Sequence, residues 1–279
     1  MHIIGRKDAE RIIGRRIETG HKGTFGRVVI VGGNRNMGGA AIMATQAAVR
    51  AGAGLTTCIT HEVNLTALHT RVPEAMFISF DDHDALRRAV AGSDVTVVGP
   101  GLGTDSEARL IFSLVLENAE HALIIDGSAI TLLARDDDLR HGLPDCRLVF
   151  TPHEIEWQRL SGLAPADQTP ENNARAASGL HADVVLKKHG TEIYHLSGLQ
   201  SKLETGGPYM ATGGMGDTLT GICAAFMAQF AGNSDRVLDA AVYTHSAVAE
   251  ELSHSRYVVL PSDIADNLQS FMKGCADSD

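Results

Sequence analysis

Short apolar runs alternate with longer stretches of helical spacing along most of the chain. RVVIV (27–31), LTTCIT (55–60), AMFISF (75–80), DVTVVG (94–99), ALIID (122–126), RLVFT (147–151) and DVVLK (183–187) are dense in aliphatic and β-branched residues. Strands buried on both faces have this composition. Helical spacing fills most of the gaps, over 39–51, 62–71, 82–91, 105–119, 153–162 and 171–181. Strand and helix in repeated alternation predict a mostly parallel sheet with helices on both faces. TEIYHL (191–196) follows DVVLK after only KHG. That gap is too short for a crossover, so an antiparallel pair is expected at one end of the sheet. The last third turns helical over 216–231, 236–254 and 261–272. No Pro/Gly/Ser-rich linker, low-complexity segment or internal repeat interrupts the pattern. Residues 1–279 are therefore expected to form one doubly wound α/β domain.

Composition narrows the classes of function. The 279 residues are 44% hydrophobic and 21% charged, as in soluble globular proteins. Aromatics reach only 5%, which suits close helix–sheet packing. The net charge of −10 argues against nucleic acid as a partner. No apolar run approaches the ~20 residues needed to span a bilayer, and MHIIGRKDAERIIGRR lacks the apolar core of a signal peptide. Cys58, Cys146, Cys223 and Cys275 lie far apart in sequence. They read as reduced, mostly buried thiols of a cytoplasmic protein.

Ligands of doubly wound sheets sit beyond the carboxyl ends of the strands, and five segments there carry candidate chemistry. GGNRNMGGAA (32–41) lacks both the dinucleotide glycine spacing and the Lys-Ser/Thr ending of a phosphate loop. It is a tight turn, or a place where Gly38, Gly39 and Ala40 admit a ligand to the backbone. GPGLGTD (99–105) is a turn capped by Thr104 or Asp105, or a floor for a flat ring at Gly103. TPHEIEW (151–157) predicts a capping box of Thr151 and Glu154 with Pro152 in the first turn, which leaves His153 unexplained. LKKHGTEI (186–193) is a solvated basic turn or a cradle for phosphates and ribose around Gly190.

The fifth segment is MATGGMGDTLTG (210–221). An acid at a helix start is worth ~0.3–1 kcal/mol as a dipole partner, and Asp217 fits that role. A plain helix start, however, needs no run of glycines. Gly213, Gly214 and Gly216 let successive N–H groups converge at the positive end of the helix, around Gly214, Met215 and Gly216. An anion hole beside a carboxylate is what phosphoryl transfer requires: the acid takes a hydroxyl proton and the N–H groups hold the transferred group.

In this order, the segments resemble the ribokinase-like superfamily, and within it the ADP/ATP-dependent NAD(P)H-hydrate dehydratases. KGTFGRVVIVGG (22–33), RAGAGL (50–55), RVPEAM (71–76), GPGLGTD and above all MATGGMGDTLTG carry the resemblance, which covers nearly the whole chain. It implies a three-layer α/β sandwich and a repair lyase. ADP or ATP with Mg²⁺ would phosphorylate a hydroxyl of the S-epimer of NADH or NADPH hydrate, and loss of phosphate would regenerate the dinucleotide. Asp217 matches the catalytic base. Ala40, Gly103, His153 and Asp217 match contacts to the hydrate. Lys187, Lys188, His189, Gly190, Thr191 and Gly216 match contacts to the adenine nucleotide. A homotetramer and a separate epimerase are implied as well. Three places depart from the family: Ser128 stands where a second acid is common, Ile155 where glycine is, and KKHGT has a bulkier middle than the usual small residues. A small-molecule kinase of the same fold is the alternative, and a nucleotide-binding sensor without turnover the non-enzymatic one.

Overall fold

The computed structural model describes residues 1–233 and 236–278. Among the described residues ten strands form one sheet: β1 (His2–Ile4), β2 (Arg27–Val31), β3 (Leu55–Thr60), β4 (Met76–Ser79), β5 (Val95–Val98), β6 (Ala122–Ile125), β7 (Arg147–Phe150), β8 (Ala182–Leu186), β9 (Glu192–Tyr194) and β10 (Gln200–Leu203). Their order is β1-β10-β9-β8-β7-β6-β5-β2-β3-β4. The strands from β8 to β4 are all parallel, whereas β9 runs antiparallel to both of its neighbours. Eight strands follow the sequence pattern. The other two, β1 and β10, are short and partly polar; QSKL buries only its alternate residues, so no continuous apolar run marks it.

Twelve helices accompany the strands among the described residues: α1 (Arg6–Ile12), α2 (Gly38–Arg50), α3 (Leu65–Arg71), α4 (His83–Ala91), α5 (Ser106–Asn118), α6 (Gly127–Leu133), α7 (Asp137–His141), α8 (Glu154–Ser161), α9 (Pro170–Gly179), α10 (Met215–Gln229), α11 (Val237–Ser253) and α12 (Pro261–Ala276). The pleat of β2 sends Val28 and Ile30 into one core and Val29 and Val31 into the other. The first core is covered by α1, α2, α3, α10, α11 and α12, the second by α4 to α9. The result is a three-layer α/β sandwich.

The alanine content has a packing purpose. Ala44, Ala47 and Ala48 of α2 and Ala224 and Ala225 of α10 share the first core and are fully buried. A Cβ on Gly221 would come within 2.1 Å of the Ala44 carbonyl oxygen, so α10 lies against α2 at backbone contact. This seats the N-terminus of α10 at the carboxyl edge of the parallel strands. Cys58 and Cys223 are buried in the same core, and burial pushes both thiols up to about 12. They are inert packing residues.

Candidate functional site

The start of α10 is built by glycine. Gly214 is the N-cap residue with φ +94, a conformation that L side chains avoid. A Cβ there would come within 2.5 Å of the Met43 thioether. The N–H of Thr218 donates to the Gly214 carbonyl at 3.0 Å as the helix closes its first turn. The N–H groups of the residues before it have no partner within a helix and lie at its positive end. Gly216 has a second reason to be small: a Cβ would sit 3.0 Å from the ammonium of Lys187.

Lys187 follows β8, and its Nζ donates to Asp126 Oδ1 at 2.7 Å. Asp126 follows β6 and is 2% exposed; its other oxygen accepts from the Thr220 hydroxyl of α10 at 2.9 Å. The carboxylate thus ties β6, β8 and α10 together. Burial alone would lower the Lys187 pKa, but Asp126, Glu156 and Asp217 outweigh it and hold the ammonium above its ordinary value. Asp217, half-buried, is pushed up to about 6, first by burial and then by the Asp126 carboxylate, with Lys187 pulling the other way. A carboxylate so raised is a better proton acceptor near neutral pH than an ordinary one.

A cavity of about 920 Å³ opens beside this cluster and is lined by Lys187, Lys188, His189, Gly190, Thr191, Met215 and Gly216. The basic turn and the helix start therefore form one site. Lys188 is fixed by Glu192 at 2.7 Å. The Glu192 carboxylate also accepts from Tyr194, whose hydroxyl accepts from Asn173, which in turn accepts from the Trp157 indole. Gly190 takes φ +73 in the turn.

Ala40 and Gly103 lie outside that cavity, Ala40 in the first turn of α2 just after the β2 loop and Gly103 on the loop after β5. The two loops are zipped together, with Gly33 N–H donating to Pro100 O and Asn34 N–H to Gly101 O, both at 2.8 Å. A Cβ on Gly101 would meet that of Ala40 at 3.0 Å, and one on Gly103 would meet the Asn34 amide at 2.6 Å. Ser128 accepts from the Gly103 N–H at 3.1 Å, so the residue replacing an acid holds this loop instead. Of the two capping candidates, Asp105 caps α5 by accepting from Ala108 N–H at 2.9 Å.

The capping box expected of Thr151 and Glu154 does not form. His153 is the N-cap of α8: its Nδ1 accepts from the N–H groups of Ile155 and Glu156, and Glu156 accepts from the His153 N–H. Pro152 shifts the start because its carbonyl accepts from the Lys187 N–H at 2.8 Å, and His153 bridges to Lys187 in parallel register. The segment is held extended for two residues longer than the pattern suggests. His153 lines the cavity beside Lys187, whereas Ile155 is 53% exposed at the rim of α8.

The family model described as NAD(P)H-hydrate dehydratase matches residues 28–270. The chain belongs to the NAD(P)H-hydrate dehydratase family. One relative, the ADP-dependent (S)-NAD(P)H-hydrate dehydratase of Lactiplantibacillus plantarum, is 46% identical over 98% of this chain and 97% of its own. A ribokinase-like superfamily protein from Enterococcus faecalis superposes with a TM-score of 0.93 at 43% identity, over 99% of this chain and 96% of that one. The ADP/ATP-dependent NAD(P)H-hydrate dehydratase of Bacillus subtilis, co-crystallised with ATP and Mg²⁺, superposes with a TM-score of 0.84 at 26% identity, over 97% of both chains. The NAD(P)H-hydrate dehydratase match runs from β2 into α12 and takes in all five loops. Asp126 and Glu156 belong to the charge cluster and were not among the residues expected from the pattern. Asp126 carried a signal all the same, being an acid at the carboxyl end of a buried parallel strand.

Proposed function

We infer that this protein is a lyase of nicotinamide nucleotide repair. It dehydrates the S-epimer of NADH and NADPH hydrate, with ADP as the phosphoryl donor, and returns the reduced dinucleotide. The observation that carries the reading is the placement of Asp217: a carboxylate of raised pKa in the first turn of α10, next to Gly216 and Lys187. In this reading the 187–191 turn and the start of α10 hold the nucleotide. Ala40, Gly103 and His153 present the hydrated ring. Asp217 takes the proton of the ring hydroxyl as its oxygen attacks the β-phosphorus of ADP, and AMP leaves with the bridging oxygen. The N–H groups around Gly214, Met215 and Gly216, with the Lys187 ammonium, hold the charge on the transferred group. Phosphate then leaves with the former hydroxyl oxygen.

Among the described residues no cluster of three or more His, Cys, Asp or Glu side chains could cage a metal ion. The donor set instead fits a Mg²⁺ ion carried on the nucleotide phosphates, with Asp217 and Glu156 as nearby carboxylates. Bound there, the ion would neutralise phosphate charge. The chain acts as a single ribokinase-like unit, a reading supported by the one continuous sheet. A homotetramer is part of the same reading, and Tyr257, 99% exposed with Val258 and Leu260 beside it, offers apolar surface on which copies could associate. The proposal places the protein in the cytoplasm, where a separate epimerase would supply the S-epimer from the R-epimer.

Incubation of the protein with NADH hydrate, Mg²⁺ and ADP is expected to restore the reduced-nicotinamide absorbance. A stable phosphorylated hydrate with no absorbance gain would mark a kinase instead, and no change with ADP or ATP would overturn the assignment.

The charge cluster also fixes the pH dependence. Asp217 must be ionised to accept a proton, so the acid limb of kcat is expected near pH 6, falling about tenfold per pH unit below it. Asp126→Asn removes a like charge from Asp217 and frees Lys187 to act on it. Both effects favour the carboxylate, so the limb is expected to move to lower pH. A limb that stays in place or moves up would show that Asp126 does not set the Asp217 proton.

A further inference from the structure

His245 of α11 stands in the wall of the nucleotide cavity. It is 4% exposed, and its Nε2 is buried without a hydrogen-bond partner. Burying such a group unpaired is destabilising, so native proteins keep few of them. Among the described residues, eight buried side-chain atoms are orphaned in this way, and only this one belongs to a residue lining the cavity. The orphan is therefore placed where a ligand can pair it.

The surroundings say what kind of ligand group fits. Leu219, Val242, Pro208 and Met210 supply apolar walls on the same cavity. Gly206, at φ +119, and Gly207 bring bare backbone to its lining. Apolar walls with bare backbone, and polar side chains such as His245 and Ser246 at the edge, suit a flat heteroaromatic ring. Phosphates do not suit this wall. Burial, reinforced by the Lys187 ammonium, pushes the imidazole down to about 4, so it is neutral at physiological pH and forms no ion pair with an anion. The phosphate-binding chemistry belongs to Lys187, Lys188 and the start of α10. A neutral imidazole suits the nitrogen-bearing edge of a base.

We propose that the His245 imidazole hydrogen-bonds the purine edge of the bound nucleotide and is the residue that selects a purine over a pyrimidine. This rests on the assignment of the cavity to the adenine nucleotide. The smaller pyrimidine ring, seated by the same phosphates, stops short of the imidazole.

The test is calorimetric binding of ADP and UDP to the full chain without hydrate, so that it does not depend on dehydratase turnover. The parent is expected to bind ADP more tightly than UDP. His245→Leu keeps an apolar side chain of comparable size, and it is expected to weaken ADP about tenfold, the worth of one buried hydrogen bond, while UDP changes less than about twofold. His245→Asn, which retains a polar edge, is expected to recover part of the ADP affinity. If the leucine variant does not fold, the same ADP-to-UDP ratio is read on the asparagine variant, where it is expected to fall at least about threefold. Equal losses for both nucleotides would assign His245 to the scaffold, and no loss for either would remove it from the site; each overturns the proposal. A parent protein that binds neither nucleotide overturns the assignment of the cavity as well, whereas ADP binding that ignores His245 overturns this proposal alone.

Discussion

Asp217→Asn is expected to lower kcat by about 10²- to 10⁴-fold, the range for loss of a general base, while ADP still binds. The amide has nearly the shape of the carboxylate but cannot accept the hydroxyl proton. Gly214, Gly216 and Lys187, which would shape the proposed anion site, are left in place. The substitution also has an expected sign on stability. The pKa of Asp217 is raised in the folded chain, so the folded state disfavours its ionised form relative to the unfolded state. Above pH 6 that ionisation works against folding, and asparagine removes it. The variant is therefore expected to melt no lower than the parent at pH 7.5. Single-turnover kinetics, ADP calorimetry and a thermal melt together check the claim. A variant that turns over near the parental rate would show that the proton goes elsewhere.

Lys187→Met is expected to be the most damaging change to both fold and site. Its ammonium is 21% exposed at the side chain and pairs with an Asp126 carboxylate that is 3% exposed. Removing one partner of a buried pair typically costs about 3–5 kcal/mol, because the other charge is left without compensation. Among the described residues, Thr220 alone would remain to satisfy Asp126. Urea denaturation should report a loss in that range, and ADP affinity should fall with it because the cation beside Gly216 is gone. The double change Asp126→Leu with Lys187→Met separates the two effects. It is expected to recover part of the stability, since no charge is then stranded, and none of the ADP affinity. Recovery of both would place the nucleotide phosphates away from Lys187.

Much of this was legible in the chain. Seven of the eight apolar runs are parallel strands whose residues are mostly buried between the helical layers, and the eighth, β9, is as buried but antiparallel to its neighbours. The same logic places the loops of Gly33, Gly103, His153 and Lys187 along one edge. What escaped the pattern had weak local signals. The strands β1 and β10 are three and four residues long, and β10, next to the edge strand β1, alternates polar with buried positions. The start of α8 was misread by two residues because Thr-Pro-x-Glu imitates a capping box. The hydrogen bond from Lys187 to the Pro152 carbonyl, a contact 35 residues away in sequence, holds Thr151 and Pro152 extended. Asp126 could have been found from its position after β6. His245 could not, because a histidine inside a long apolar helix looks like any core residue until the cavity beside it is seen.

The two outermost strands have a further consequence. β1 has three residues and β4 four. An open strand edge is a template on which another chain can add, and edges this short offer little of one. Copies that associate must then meet through side chains of the helical layers and connecting loops. Assembly is thereby uncoupled from strand register. Substitutions on the outer surface, Tyr257 among them, can strengthen, weaken or abolish association while the sheet that carries the catalytic loops keeps its pairing. The quaternary state can drift without dragging the chemistry along.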